Sequence, residues 1–273
     1  MKKLLTAMAL ASTALSAPAF ARDGAMYVEV DGGVMKVEDF DFDIAGVKNA
    51  VKLDNDTWGY DFGGIVGYDF GPFRLEGEVG YRGVSNDQLK STVFIPATNT
   101  TVTGRALPGS YDAGGDSTVL SLMLNGLVDV GQDDGLQFFA GGGVGKAKID
   151  VNTSINSVGP GFVNDHDWTF AWQALAGVRA PLSDNIDVGV KYRYFNASGF
   201  DLNDTAGRAV KGDWRSHSLM GTFAVNFGGR EPMMEPVAAP PPPPPPTYTP
   251  PPAPVYTPPP PPPEPPVKSG ERG

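Results

Sequence analysis

FRLEGEVGYR, residues 73–82, has two faces when read at every second position. Phe73, Leu75, Gly77, Val79 and Tyr81 form one face. Arg74, Glu76, Glu78, Gly80 and Arg82 form the other. A period of two belongs to a β-strand. In a water-soluble protein the charged face meets solvent. In a transmembrane barrel it lines the interior, and the apolar face meets lipid. Alternation alone does not choose between these, so the choice falls to the rest of the chain.

The same period recurs over residues 26–34, 56–70, 117–130, 136–147, 167–180, 186–195 and 214–227, which makes eight strands in all. Residues 56–70 carry it most plainly. Trp58, Tyr60, Phe62, Gly64, Val66, Tyr68 and Phe70 share a face, with aromatic rings towards both ends as an interfacial girdle requires. Connections alternate between long and short. Residues 36–55, 85–116, 150–166 and 196–213 are long polar loops, whereas 71–72, 131–135 and 181–185 are tight turns. Short turns at one end and long loops at the other are the pattern of a membrane barrel. Pro72, Pro96, Pro108, Pro160 and Pro181 are all expected in turns or loops, so that none interrupts a strand.

The chain opens MKKLLTAMALASTALSAPAFA. Lys2 and Lys3 are a basic start, residues 4–15 an apolar run too short to span a bilayer, and Ala19-Phe20-Ala21 a small-x-small cleavage site. Cleavage after Ala21 is expected, and with it export. Loss of Lys2 and Lys3 takes the net charge from −10 to −12. A chain that acidic is a poor nucleic-acid binder. It has no cysteine, hence no disulfide, thiolate nucleophile, cysteine zinc site or lipoprotein anchor. Of its 27 prolines, 21 fall within residues 231–273, a composition that cannot build a core. The organisation that follows is a signal peptide over 1–21, an all-β barrel over 22–229 and a proline-rich tail over 230–273.

A soluble eight-stranded ligand carrier is the competing architecture. It would turn the apolar face inward. Trp58, Tyr60, Phe62, Tyr68 and Phe70 on one strand are too bulky for the interior of a small barrel. The glycine-rich opposite face suits a narrow lumen. There Glu29, Asp31, Asp61, Arg74, Glu76, Glu78, Arg82, Lys191 and Arg193 would converge, and mixed charges in a poorly hydrated space favour pairing. A structural ion-pair network is the plainer expectation, and a polar plug that gates small solutes the sharper one.

Residues 73–82, SLMLNGLVDV at 121–130, FFAGGGVGKA at 138–147, FAWQALAGVRAPLS at 170–183, KYRYFNA at 191–197 and SHSLMGTFAVNFG at 216–228 resemble the OmpA-like eight-stranded outer-membrane barrels, of the small-porin type common in α-proteobacteria. The resemblance covers nearly all of residues 25–228. It implies that Leu219, Gly221, Phe223, Val225 and Phe227 are the terminal-strand signal read by the barrel-assembly machinery. It implies contact with outer-membrane lipids and lipopolysaccharide, long loops outside the cell and the tail in the periplasm. Many relatives with a proline-rich tail continue into a peptidoglycan-binding domain. Residues 231–273 contain no such domain, so the tail is expected to be a spacer and wall contact through it is the weaker reading.

Other motifs point to no chemistry. AGGGVGKA at 140–147 has Ala140 where a phosphate loop needs glycine and Ala147 where it needs serine or threonine. Its Gly141, Gly143 and Gly145 are read as space for lumen side chains. Asp39, Asp41 and Asp43 match the start of a calcium loop, but Ile44 and Ala50 stand where glycine and glutamate belong. Some outer-membrane barrels act on lipid A with a serine–histidine pair. His217 lies between Ser216 and Ser218, yet neighbours on a strand point to opposite faces. The expectation is an integral outer-membrane protein with a structural or surface role, not an enzyme, with no cofactor or metal. A narrow pore and a loop-borne adhesin are the alternatives.

Overall fold

A computed structural model describes residues 24–54, 57–96, 105–131, 135–155, 162–227 and 256–258. Ala19 and Ala21 lie outside these residues, as does the tail from 230 onward except 256–258. Backbone contacts divide the chain into Met1–Met233, which holds every described strand, and Met234–Gly273. The strands in chain order are β1 Met26–Val37, β2 Phe40–Ile44, β3 Val47–Asp54, β4 Gly59–Asp69, β5 Phe73–Ser85, β6 Gln88–Ser91, β7 Ile95–Pro96, β8 Arg105–Ala106, β9 Gly109–Val130, β10 Gln137–Ile155, β11 Val163–Ser183, β12 Ile186–Asn203 and β13 Ala209–Phe227.

Eight of them close a ring in the order β1-β4-β5-β9-β10-β11-β12-β13, every neighbour antiparallel. The seam is β1 on β13, paired from Met26↔Phe227 to Val37↔Ser216. These eight correspond to the eight expected strands. Closure matters because lipid offers no hydrogen-bond partner to a free strand edge.

The ring does not stop where the alternating membrane pattern stops. Strand β2 pairs with β13 at Val210↔Ile44 and Lys211↔Asp43, β3 pairs with β2, β6 pairs with β3, and β6 reaches β9 at Gln88↔Asp112 through Ser91↔Gly109. A second tier therefore stacks on the first, in the order β2-β3-β6-β9-β10-β11-β12-β13. In it the β11–β12 ladder, which ends at Ala171↔Ala197, gives way to hydrogen bonds from β12 N–H groups to Asp165 and Asp167 and a single bridge at Val163↔Asp204. Strands β9 to β13 run through both tiers, while β2, β3 and β6 take over from β1, β4 and β5. At about 3.3 Å per residue the 22 residues of β9 extend roughly 70 Å along the strand, where a tilted membrane crossing needs about 9–11 residues.

Strand β13 shows why two tiers exist. Its outward face runs Lys211, Asp213, Arg215, His217 and then Leu219, Phe223, Val225, Phe227. Its inward face runs Val210 and Trp214 and then Ser216, Ser218, Met220, Ala224 and Asn226, all buried, so polar side chains enter only below the change. Both faces change polarity at the same height. Below the change the barrel is polar inside and apolar outside, as lipid demands; above it the arrangement is that of a soluble barrel. The upper interior is a single apolar core that includes Phe40, Phe42, Leu53, Leu89, Ile149, Phe200 and Trp214. The outer wall there exposes Asp41, Lys90, Asp112, Asn152, Asp201 and Lys211.

Two expectations are corrected. The long polar loops are largely strand: 36–55 folds into β2 and β3, 85–116 holds β6, β7, β8 and the start of β9, and β10 to β13 extend across much of 150–166 and 196–213. Pro160 lies outside the described residues, Pro96 is in β7 opposite Arg105, and Pro181 does not sit in the turn. It lies within β11 opposite Asp187, beside a register shift between Pro181 and Ser183. A bulge at a strand end is where a missing N–H costs little. The turn before β5 is as short as expected, with Gly71 at φ 96°.

Val79 faces outward on β5, opposite Gly64 and Leu122. Val79→Arg is expected to destabilise the barrel by roughly 2–4 kcal/mol, the depth-dependent cost of a cation on the lipid face. Urea unfolding in lipid vesicles measures it, and a neutral effect would place this face out of the lipid.

Candidate functional site

The lower interior is the site that the alternation predicts. All nine charged residues expected in the lumen are on the inner wall and at most 5% exposed. Period-two geometry puts them there: Glu29 and Asp31 on β1, Asp61 on β4, four residues on β5, Lys191 and Arg193 on β12. The structure brings them into contact in layers.

At the end with the short turns, Arg179 meets Asp69 at 2.8 Å and accepts help from Gln137, whose Oε1 takes a hydrogen bond from Nε at 2.6 Å. Arg74 Nε lies 2.8 Å from Asp129, and Nη1 lies 3.3 Å from Glu76. The Tyr27 hydroxyl also donates to Glu76, at 2.6 Å. The next layer is held by amides. Asn125 and Gln173 each donate to Glu78 at 2.8 Å, and Gln173 donates to Asn125 at 2.8 Å. Above it, Lys191 bridges Glu29 at 2.5 Å and Asp31 at 2.9 Å. Arg193 joins three carboxylates: Asp31 at 3.2 Å, Asp61 at 2.8 Å and Glu78 at 2.7 Å. Ser218 donates to Asp61 at 2.7 Å.

Arg82 is the uppermost charge. Its nearest carboxylate is Asp61 at 3.5 Å, its Nη1 lacks a hydrogen-bond partner, and its guanidinium carbon sits 3.7 Å from the centre of the Phe195 ring. Phe195 already belongs to the apolar core of the upper tier. The guanidinium face thus caps the ion network and floors the core, a role that its weakly hydrated planar group suits. Over it, Trp214 packs on Phe40 at 5.0 Å between ring centres, and Phe42 packs on Phe200 at 6.3 Å.

Sequence reading left Tyr27, Asp69, Asn125, Asp129, Gln137, Gln173, Arg179 and Ser218 out of this set. Their signal was their place on the inward face of the same alternating strands. Inward glycines make room as expected: a side chain at Gly143 would run into Asn125, and one at Gly63 into Asp31. The terminal-strand residues Leu219 and Phe223 face outward, with Val225 and Phe227 half-buried. Asp39 pairs with Lys52 at 2.7 Å, and Asp43 accepts a hydrogen bond from the Asn49 N–H at 2.8 Å. Among the described residues no cluster suits a metal ion.

His217 faces outward while Ser216 and Ser218 are buried inward. Its Nδ1 lies 2.7 Å from the Tyr192 hydroxyl and its Nε2 3.1 Å from Glu38. In the upper tier, Asp165 clamps β11 to β12. Desolvation pushes its carboxyl up, but hydrogen bonds from the Asn203 and His166 N–H groups outweigh it and hold the carboxyl below its usual value.

A closed ring with a lipid-facing outer wall and an ionic interior defines the architecture, and the comparison with known families agrees with it. Residues 7–227 match the outer membrane protein beta-barrel domain. The chain belongs to that outer-membrane β-barrel family. A Rickettsia prowazekii (strain Madrid E) protein named "Putative adhesin" is 28% identical over 237 residues, covering 84% of this chain and 100% of that protein. A Rickettsia canadensis (strain McKiel) protein with the same name is 27% identical over 201 residues, covering 72% of this chain and 84% of that protein. Among solved structures, the outer membrane protein OprG from Pseudomonas aeruginosa aligns over 76% of this chain and 99% of its own, with a TM-score of 0.52 and 16% identity, which speaks to the fold alone. As a member of this family the chain is an integral outer-membrane protein with a role at the cell surface.

Removing one partner of a buried network strands the others. Arg193→Ala leaves Asp31, Asp61 and Glu78 short of a cation and is expected to cost about 3–5 kcal/mol of unfolding free energy in vesicles. Arg82→Ala, with its more distant carboxylate, costs less. The reverse order would remove Arg193 from the centre of the network.

Proposed function

We propose that this barrel is a non-conducting, non-catalytic surface protein whose upper tier is an adhesive platform outside the cell. One observation carries the reading: the interior above the ion network is a continuous apolar core, closed by Phe40, Phe42, Phe200 and Trp214. An aqueous path would have to cross both a paired charge network and this core. That argues against the narrow-pore alternative. Eight strands also leave an interior that side chains just fill.

Orientation follows from the same pattern. Met26 and Phe227 pair at the end that carries the short turns, and family barrels keep short turns on the periplasmic side. The two-tier end therefore faces outward, and the proline-rich tail leaves Phe227 from the periplasmic side as a spacer that reaches towards the cell wall. Leu219, Phe223, Val225 and Phe227 are then the signal for the barrel-assembly machinery. The adhesive role draws on the names of the two rickettsial relatives and on the surface itself. Phe94 and Leu107 are 52% and 60% exposed at the ends of the segment around the β7–β8 pair. That segment is anchored where Arg208, held by Asp204 at 2.7 Å, donates to the Phe94 carbonyl at 2.9 Å.

In planar bilayers the purified barrel is expected to show no stable porin-sized conductance steps; such steps would overturn the sealed interior. Cells that display a variant with residues 94–107 replaced by a short Gly-Ser linker should adhere less to host cells than cells displaying the wild type at equal surface density. Equal adherence would remove the adhesive platform from the reading.

A further inference from the structure

The outer wall of the lower tier is not uniform. Between β5, β9 and β10 it is hollowed into an open groove of about 540 Å³, lined by Gly77, Val79, Leu122, Leu124 and Val144, with Lys146 at its rim. The groove exists because residue 77 has no side chain. A Cβ there would meet only the Val66 carbonyl oxygen, at 3.9 Å. Val79, Leu122, Leu124 and Val144 are each about half exposed, so its walls are apolar and face lipid.

Lys146 is out of keeping with that wall. It points outward on β10, opposite Leu122 on one side and Phe170 on the other. Among the described residues it has no ion-pair partner. Lys148, two positions on and on the same face, lies opposite Leu120 and Trp168 and reaches Asp150 only at 3.6 Å. Ammonium groups on a lipid-facing wall are costly in the middle of a bilayer and tolerable at its interface, where they meet anionic headgroups. The placement is also one-sided. The outward bases Lys36, Lys146, Lys148 and Arg215 all lie near the height at which the wall changes from apolar to polar. Among the described residues, the outward face at the short-turn end has none.

We propose that this groove is a binding site for a phosphorylated lipid of the outer leaflet, with one acyl chain lying against Gly77 and its phosphate held by Lys146 and Lys148. The chain fills the hollow that glycine leaves, and the aromatic faces of Phe170 and Trp168 flank the headgroup. The charges are complementary, and lysine binds phosphate as a compact point charge. The assignment rests on the reading that the two-tier end faces outward. The binding test is run on purified barrel, so it succeeds or fails without regard to orientation or adhesion.

Native mass spectrometry of the full chain in detergent, titrated with bisphosphorylated lipid A, tests it. The wild type should retain one lipid A per barrel, and dephosphorylated lipid A should bind about tenfold or more weakly. The double variant Lys146→Gln, Lys148→Gln should lose that preference and bind both lipids alike. Gly77→Leu should weaken both by filling the hollow. Folding of each variant is checked by the gel mobility shift between unheated and boiled samples. Gly77 and Lys146 are exposed on the outer wall and Lys148 is half-buried on the same face, outside the lumen network, so folded barrel is expected throughout. A double variant that keeps the preference for phosphate, a wild type that has none, or a Gly77→Leu barrel with unchanged binding would each overturn the site. So would displacement of the lipid by inorganic phosphate alone at millimolar concentration, which would mean that the lysines hold free phosphate rather than a lipid.

Discussion

Pairing of β1 with β13 is the constraint on which the rest depends. Lipid cannot satisfy a strand edge, so the sheet has to close, and eight strands close at a radius that side chains can fill. The interior must then be packed with side chains while the exterior is kept apolar. A polar interior of that size is stable only if its charges neutralise one another at hydrogen-bond distance. Lys191 and Arg193 do this for Glu29, Asp31, Asp61 and Glu78, and Asn125 and Gln173 complete the set as neutral linkers.

The same sheet is then used in a second solvent. Above the membrane the outside faces water, so an apolar exterior would be a liability and an apolar interior becomes the source of stability. The chain meets this by exchanging the two faces rather than by changing the fold. On β12 the inward residues pass from Asp187, Lys191 and Arg193 to Phe195, Phe200 and Leu202 with one bulge between Ser198 and Phe200. Arg82 on Phe195 is the joint between the two regimes.

This explains what the sequence disclosed and what it hid. The eight membrane strands were legible because lipid imposes a strict rule: apolar outward, polar inward, period two, as in residues 73–82. The nine lumen charges were legible for the same reason. The upper tier was hidden because its alternation runs in the opposite sense. Residues 40–44, Phe-Asp-Phe-Asp-Ile, alternate as cleanly as any membrane strand, but their aspartates suggested a solvated loop. The breaks between β1 and β2, β3 and β4, and β5 and β6 cut the pattern into pieces too short to read alone. Arg179, Asp69 and Asp129 escaped because they lie near the strand ends beside the short turns, where a charge reads as part of the turn rather than of the lumen.

The two tiers do not share their walls equally. Five of the eight strands, β9 to β13, run unbroken through both tiers, so most of the circumference continues from the membrane barrel into the upper tier. The other three positions are filled by separate strands on the two sides of the joint. Strands β2, β3 and β6 are fixed by hydrogen bonds to β13, to one another and to β9, and by the apolar core beneath them. Sequence change in β2, β3 and β6 alters the upper tier without touching a membrane crossing, whereas change in β9 to β13 is felt in both. The segment with Phe94 and Leu107 follows β6 and precedes β9, so it links the strands confined to the upper tier to those that pass through both.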